Sequence, residues 1–266
     1  MLSSATRYET PPVKFDFSPL SSARWTDIGG GLLSRDLAVA AAMHGQMGAR
    51  HLRSPREIRL DQIPGKADRF RLLFVLKGEM SFRLDGSNVQ MRRWDAAQLP
   101  LLSKASDFRF AEGFEALDIV APAHDTRVAA HSLFEPLYKG KASEVVSREE
   151  PSAYVAGNGP RRYFAYRDLG VAGATDRRIH IHVVRAIEVP PDGTGWHVHT
   201  MGQLFVVISG SGVIKVNTPD PIPIHAGDSM CIGAGMKHDV TSFSDDYAVI
   251  EMCLPADYDT KDASAP

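Results

Sequence analysis

Two histidines separated by one residue, His197 and His199, lie in the run Gly195-Trp196-His197-Val198-His199-Thr200-Met201-Gly202-Gln203. On an extended strand, alternate residues project from one face, so both imidazoles point the same way while Val198 points opposite. Gln203 sits four residues past His199, and the intervening Thr-Met-Gly can turn its amide back into the same space. A further imidazole, His238, ends a Gly-rich stretch that begins at Gly227 and includes Gly233 and Gly235. Three neutral imidazoles and one side-chain oxygen suit a divalent transition metal. Such a centre polarises a carbonyl oxygen or acidifies a bound water.

The spacing H-x-H-x3-[E/Q]-x6-G, followed by G-x5-[P/G]-x-G-x2-H, resembles the two-part motif of the cupins. His197, His199, Gln203 and Gly210 fill the first part, and Gly227, Gly235 and His238 the second. Gln203 stands where most cupins carry Glu, Gly233 where they usually carry Pro, and Ser242 where they often carry Asn. The resemblance covers about residues 160 to 256. It implies a jelly-roll barrel with one divalent metal per chain (zinc, nickel, iron or manganese), held by His197, His199, Gln203 and His238.

These residues need a framework of short strands. Runs such as Arg71–Leu76, Ser81–Leu84 and Asn88–Met91 are separated by Lys77-Gly78-Glu79 and Asp85-Gly86, the pattern of a β-meander. The same rhythm returns in Gln203–Ile208, Val213–Asn217, Met230–Ile232, Asp239–Phe243 and Tyr247–Leu254. An internal repeat sets the domain count. Residues Arg35 to Ala42 and Arg167 to Ala174 agree at six of eight positions, at an offset of 167 − 35 = 132. Gly78 and Gly210 lie at the same offset after apolar runs. The expectation is an all-β chain of two tandem cupin jelly-roll barrels. An arm occupies 1–24, the first barrel 25–138, a linker 139–158 and the metal-binding barrel 159–266. The Ala-rich Leu37–Ala42 is read as non-helical, because its twin contains Gly170 and Gly173.

The first copy lacks the donors of the second. At the repeat offset Gln203 falls on Arg71, His238 on or near Ala105, and the loop that carries the first two histidines is shorter. Arg69 and Arg71 are read there as solvated or salt-bridged surface arginines.

Parity names the cavity lining of the second copy. With Gln203 inward, Phe205 and Val207 share its face; Ile214, Val216 and Val240 turn in from neighbouring strands, and Trp196 stands at the rim. Glu251 is a candidate general base whose direction parity leaves open. His180 and His182 are read as packing or hydrogen-bonding residues behind the site.

Composition narrows the partners. At 44% hydrophobic and 23% charged the chain is ordinary globular protein. A formal net charge of −2 gives no reason to expect nucleic acid or acidic lipid. No apolar run approaches the roughly 20 residues of a membrane span. Only Cys231 and Cys253 are present, too few for a disulfide framework, so a cytoplasmic location is expected, and Cys231, close to the motif, is read as a buried inert thiol. The arm, with Phe15, Phe17 and Leu20, is expected to pack on a barrel or to extend contacts to a second copy in a homodimer.

An amide leaves a divalent centre its full +2 charge, where a carboxylate would reduce it to +1. That favours a metal-dependent enzyme acting on a small oxygen-bearing substrate, with Lewis-acid chemistry of the isomerase, cyclase or lyase type. The alternatives are an Fe(II)-dependent dioxygenase and a non-catalytic small-molecule-binding or sensing protein.

Overall fold

The computed structural model describes residues 12–64, 70–99, 105–121, 123, 146–158 and 162–266. Arg69 and residues 139–145 of the linker 139–158 lie outside these. The chain divides into two compact units. One is Ser21–Pro151; the other joins Ser152–Pro266 to the residues up to Leu20.

The C-terminal unit is two antiparallel sheets. The larger has seven strands, in the order Asp16–Ser18, Ser229–Ile232, Gly202–Ser209, Ala248–Leu254, His180–Ala186, Phe164–Asp168 and Val155–Ala156. The other has five, in the order Ile222–His225, Ser211–Val216, His238–Phe243, His197–His199 and Thr260–Asp262. Phe205, Val207, Ile214, Val216, Met230, Phe243 and Val249 form the apolar layer between them. Strands that alternate apolar and polar residues, closed face to face, make the jelly roll that the punctuation predicts.

Residues 12–20 of the arm belong to this unit. Phe17 pairs with Met230 and Asp16 with Cys231 at the sheet edge, and the Leu20 amide donates to Asp228 Oδ1 at 2.7 Å. A Cβ on Gly233 would lie 2.4 Å from the Val13 carbonyl oxygen. The Gly233 amide also donates to Met236 Sδ at 3.2 Å, a bond that proline could not make. The glycine at this motif position is therefore tied to the arm lying over it.

The other unit repeats the plan. Seven strands run in the order Val146–Ser147, Ala96–Leu99, Phe70–Lys77, Phe114–Ala121, Gly48–Ser54, Leu33–Asp36 and Thr26–Asp27. Facing them are Ile58–Leu60, Ala105–Phe110, Glu79–Leu84 and Ser87–Arg92. Its interior is filled by aromatic rings, with Phe82 stacked on Phe108 at 5.2 Å and Phe110 tilted on Phe114 at 5.1 Å.

One expectation is overturned: Val39–Ala42 and Val171–Ala174 are both single helical turns. Gly170 is the residue before its turn and is left-handed at φ 75°, so its freedom supplies the entry to the helix. Ala38 takes the same conformation at φ 58°. Among the described residues no helix is long and apolar enough to cross a membrane.

Candidate metal centre

The Gly193–Gly195 turn delivers the first two histidines. Gly193 has φ 71°, and a Cβ there would lie 2.4 Å from the Val240 carbonyl oxygen. The Thr194 amide donates to that same oxygen at 3.0 Å, and Thr194 Oγ1 accepts from the Val240 amide at 3.0 Å. The turn is thus pinned to the strand His238–Phe243. Beyond it His197 pairs across the sheet with His238.

The structure brings His197, His199 and His238 together: one ring nitrogen of each lies within 4.8 Å of the others. All three are buried. His197 Nδ1 donates to the Gly195 carbonyl at 2.8 Å, and His238 Nδ1 donates to the Met236 carbonyl at 3.0 Å. A carbonyl only accepts, so in both rings the proton sits on Nδ1 and Nε2 carries the lone pair. His199 Nδ1 is engaged by Thr260 Oγ1 at 2.8 Å.

Gln203 joins the same cavity through a polar row across the sheet. Its Nε2 donates to Glu251 Oε1. Glu251 Oε2 in turn meets His182 Nε2 at 2.6 Å, and His182 Nδ1 meets His180 Nε2 at 2.6 Å. With each neutral imidazole carrying one proton, the chain runs in one sense: His180 donates to His182, His182 and Gln203 donate to Glu251. Both carboxylate oxygens accept, which fits an ionised Glu251. The bond to Glu251 also fixes the amide, leaving Gln203 Oε1 buried with no hydrogen-bond partner.

The cavity lined by these residues measures about 70 Å³, with apolar walls from Phe164, Val184, Phe205, Ile214 and Val249. It adjoins a wider vestibule of about 480 Å³, which includes Asn158, His182, Tyr258 and Thr260. Phe205, Ile214 and Val240 line the inner cavity as parity suggests, and Glu251, whose direction parity leaves open, lines it as well. Trp196, Val207 and Val216 stand outside its lining. On the strand His197–His199, alternation that turns the histidines inward turns Trp196 away. Val207 and Val216 face inward but pack into the closed apolar core.

Sequence reasoning missed Phe164, Tyr166, Val184, Thr194, Tyr247 and Val249. The strand His180–Ala186 did hold a signal, since His182 and Val184 share a face by period two. His182 is the residue behind Glu251, so hydrogen bonding is its role here.

Burial shapes the neighbouring ionisations. Desolvation, then the neighbouring His182, lowers His180 below its ordinary 6.5. Burial keeps the Tyr247 phenol protonated, pushes the Cys231 thiol up to about 12 and raises Cys253 well above its ordinary value. Both thiols are inert.

The N-terminal unit holds different groups at the same register positions. Gln203 pairs with Cys253 as Arg71 pairs with Val120; Glu251 faces His182 as Asp118 faces Arg50. Arg71 is buried, not a surface arginine. It grips Asp118 with two bonds of 2.7 and 2.8 Å, and Arg50 Nε adds a third at 2.7 Å. A guanidinium therefore occupies the Gln203 position. His238 pairs with Val216 as Ala105 pairs with Leu84, so an alanine replaces the third imidazole.

Residues 186–254 match the Cupin domain family model. No curated protein matches the chain in sequence. Solved structures resemble it over most of its length. A protein of Pseudomonas aeruginosa described as glyoxylate-induced has TM-score 0.68 and 15% identity, over 96% of this chain and 92% of that one. A deletion mutant of Bacillus subtilis oxalate decarboxylase has TM-score 0.65 and 12% identity, over 97% and 81%. Protein Ylba of E. coli has TM-score 0.65 and 13% identity, over 95% and 96%. Residues 186–254 thus carry a Cupin domain with the two-part motif, and the chain as a whole has the fold of these solved structures, built as two tandem jelly-roll barrels.

Proposed function

We propose that this protein is a metal-dependent enzyme that rearranges or eliminates across a small oxygen-bearing substrate, with its centre in the second barrel. The observation that carries the reading is Gln203 Oε1, a buried acceptor without a partner in the cavity that three histidines line. Leaving such an atom unsatisfied costs about 1–3 kcal/mol, and a cation beside it removes that cost. The donor chemistry fits as well. His197 and His238 present Nε2 lone pairs, so these two, His199 and Gln203 Oε1 would hold a first-row divalent ion. Mn(II) centres occur in B. subtilis oxalate decarboxylase, which shares the fold.

When bound, such an ion supplies Lewis-acid polarisation of a substrate oxygen. The chain's own residues do the rest. Glu251, on the cavity wall, is placed to take a proton from a carbon beside that oxygen and to return it elsewhere. Its hydrogen bonds from His182 and Gln203 hold it in place. Phe164, Val184 and Val249 keep water off the reacting atoms. An iron-bearing, oxygen-consuming reaction is the competing outcome of the test.

Metal analysis of the protein as purified, combined with an oxygen-electrode assay against a panel of small carbonyl compounds, checks the proposal. The expected result is one equivalent of metal per chain, lost in His238→Ala, with no substrate-dependent oxygen uptake. Stoichiometric iron with oxygen consumption would replace this reading by the dioxygenase. A chain that takes up no metal would end both.

A further inference from the structure

The charges around the centre select the charge of the substrate. The four donors, His197, His199, His238 and Gln203, are all neutral. Glu251 is the one carboxylate among the described residues lining the inner cavity, and no lysine or arginine lines it. With a divalent ion in place the count is +2 from the metal and −1 from Glu251, a net +1. A ligand with one negative charge brings the enclosed site to neutrality. One with two leaves a surplus negative charge in a small, largely apolar cavity with no cation to pair it. Burying an unpaired charge is strongly unfavourable.

We infer that the substrate is a small chelating monoanion: one carboxylate with an adjacent carbonyl or hydroxyl oxygen, and a short apolar tail. The inference rests on the metal reading above. The two adjacent oxygens suit a centre whose four protein donors leave coordination positions open. The tail follows from the walls, since Phe164, Val184, Phe205, Ile214 and Val249 present only carbon beyond the polar row. The polar groups Asn158, Tyr258 and Thr260 line the adjoining vestibule instead.

Calorimetric titration of the full chain loaded with Mn(II) tests this without requiring turnover. Pyruvate and oxalate offer the same chelating pair and nearly the same size, and differ by one charge. Wild-type protein is expected to bind pyruvate at least tenfold more tightly than oxalate. Glu251→Gln raises the site charge by one and should move the ratio at least tenfold toward oxalate. 3-Methyl-2-oxobutanoate, with two more carbons, should bind more tightly than pyruvate.

Oxalate bound as tightly as pyruvate by the wild type, or a ratio unmoved by Glu251→Gln, would overturn the charge inference. The metal reading would survive that result, because the manganese content is measured on the same sample. Weaker binding of the branched acid would remove the apolar tail. Protein that takes up no manganese, or that binds pyruvate equally well without it, would fail at the metal reading and take the inference with it.

Discussion

At the scale of single residues, the centre depends on donors of unequal strength. Alanine at His197, His199 or His238 leaves a two-imidazole site, and metal affinity should fall by more than the ~10–100-fold typical of damage to supporting hydrogen bonds. Gln203→Ala should keep the metal at lower affinity, because an amide oxygen is a weak donor that water replaces. Equilibrium metal competition across the four variants checks the ranking; a Gln203→Ala protein as empty as His238→Ala would refute it. Charge alone suggests that Gln203→Glu binds metal more tightly. The structure changes that expectation, since Gln203 Nε2 donates to Glu251 and a glutamate there would set two carboxylates face to face. Gln203→Glu should therefore tighten metal binding substantially only when paired with Glu251→Gln, which supplies the missing donor.

His180 gives a second prediction at this scale. Burial and His182 hold its folded-state value below the ordinary 6.5, outweighing the opposite pull of Asp168 and Glu251. As pH falls below about 6.5 the unfolded chain takes up this proton before the folded chain does, so stability declines on the acid side and is retained above it. Thermal unfolding followed from pH 8 to pH 5 should show a shallower acid-side loss in His180→Gln than in the wild type. An identical slope would remove His180 as a source.

At the scale of elements, the two barrels solve one problem differently. The strands equivalent to His180–Ala186, Gly202–Ser209 and Ala248–Leu254 carry an ion triad in the first unit, Arg50, Arg71 and Asp118, with the Asp118 side chain wholly buried. Breaking a buried pair costs more than the pair contributes, because the orphaned charge stays behind. Asp118→Ala strands two guanidinium groups and should lower stability by about 3–5 kcal/mol in denaturant unfolding. Arg50→Gln, which keeps Arg71 on Asp118, should cost clearly less. Equal losses would mean that Arg71 alone does not satisfy Asp118 and that the three groups act only together. The apolar packing differs along the same lines: Phe82, at the repeat position of Ile214, stacks on Phe108, whereas Ile214 lines the cavity of the second barrel.

For the whole molecule, chain order and spatial unit part company. The strand Asp16–Ser18 precedes the first barrel in sequence yet completes a sheet of the second, while Val146–Ser147 pairs with Ala96–Leu99 of the first. Removing residues 1–20 uncovers the edge strand Ser229–Ile232. Amide exchange there should accelerate about tenfold or more, with the strand Phe70–Lys77 unchanged, because local opening follows local pairing. Uniform acceleration in both units would show instead that the arm supports global stability.

The local pattern alone determined much of this. Turn residues between apolar runs placed the eight strands named from them to within a residue or two. The offset of 132 announced two copies, and the spacing of His197, His199, Gln203 and His238 singled out the second. Period two and glycine punctuation are properties of a short stretch, so they survive without tertiary information. Contacts between distant strands do not. Glu251 faces inward and meets Gln203 and His182 because three strands lie side by side, a register no local pattern states. Arg71 looks like a surface residue until Asp118, 47 residues later, is brought beside it. Val207 and Val216 have the right parity for the cavity, but depth along the barrel decides whether such a residue meets open space or packed core. Parity chooses a face; only the closed barrel sets how far down that face the cavity reaches.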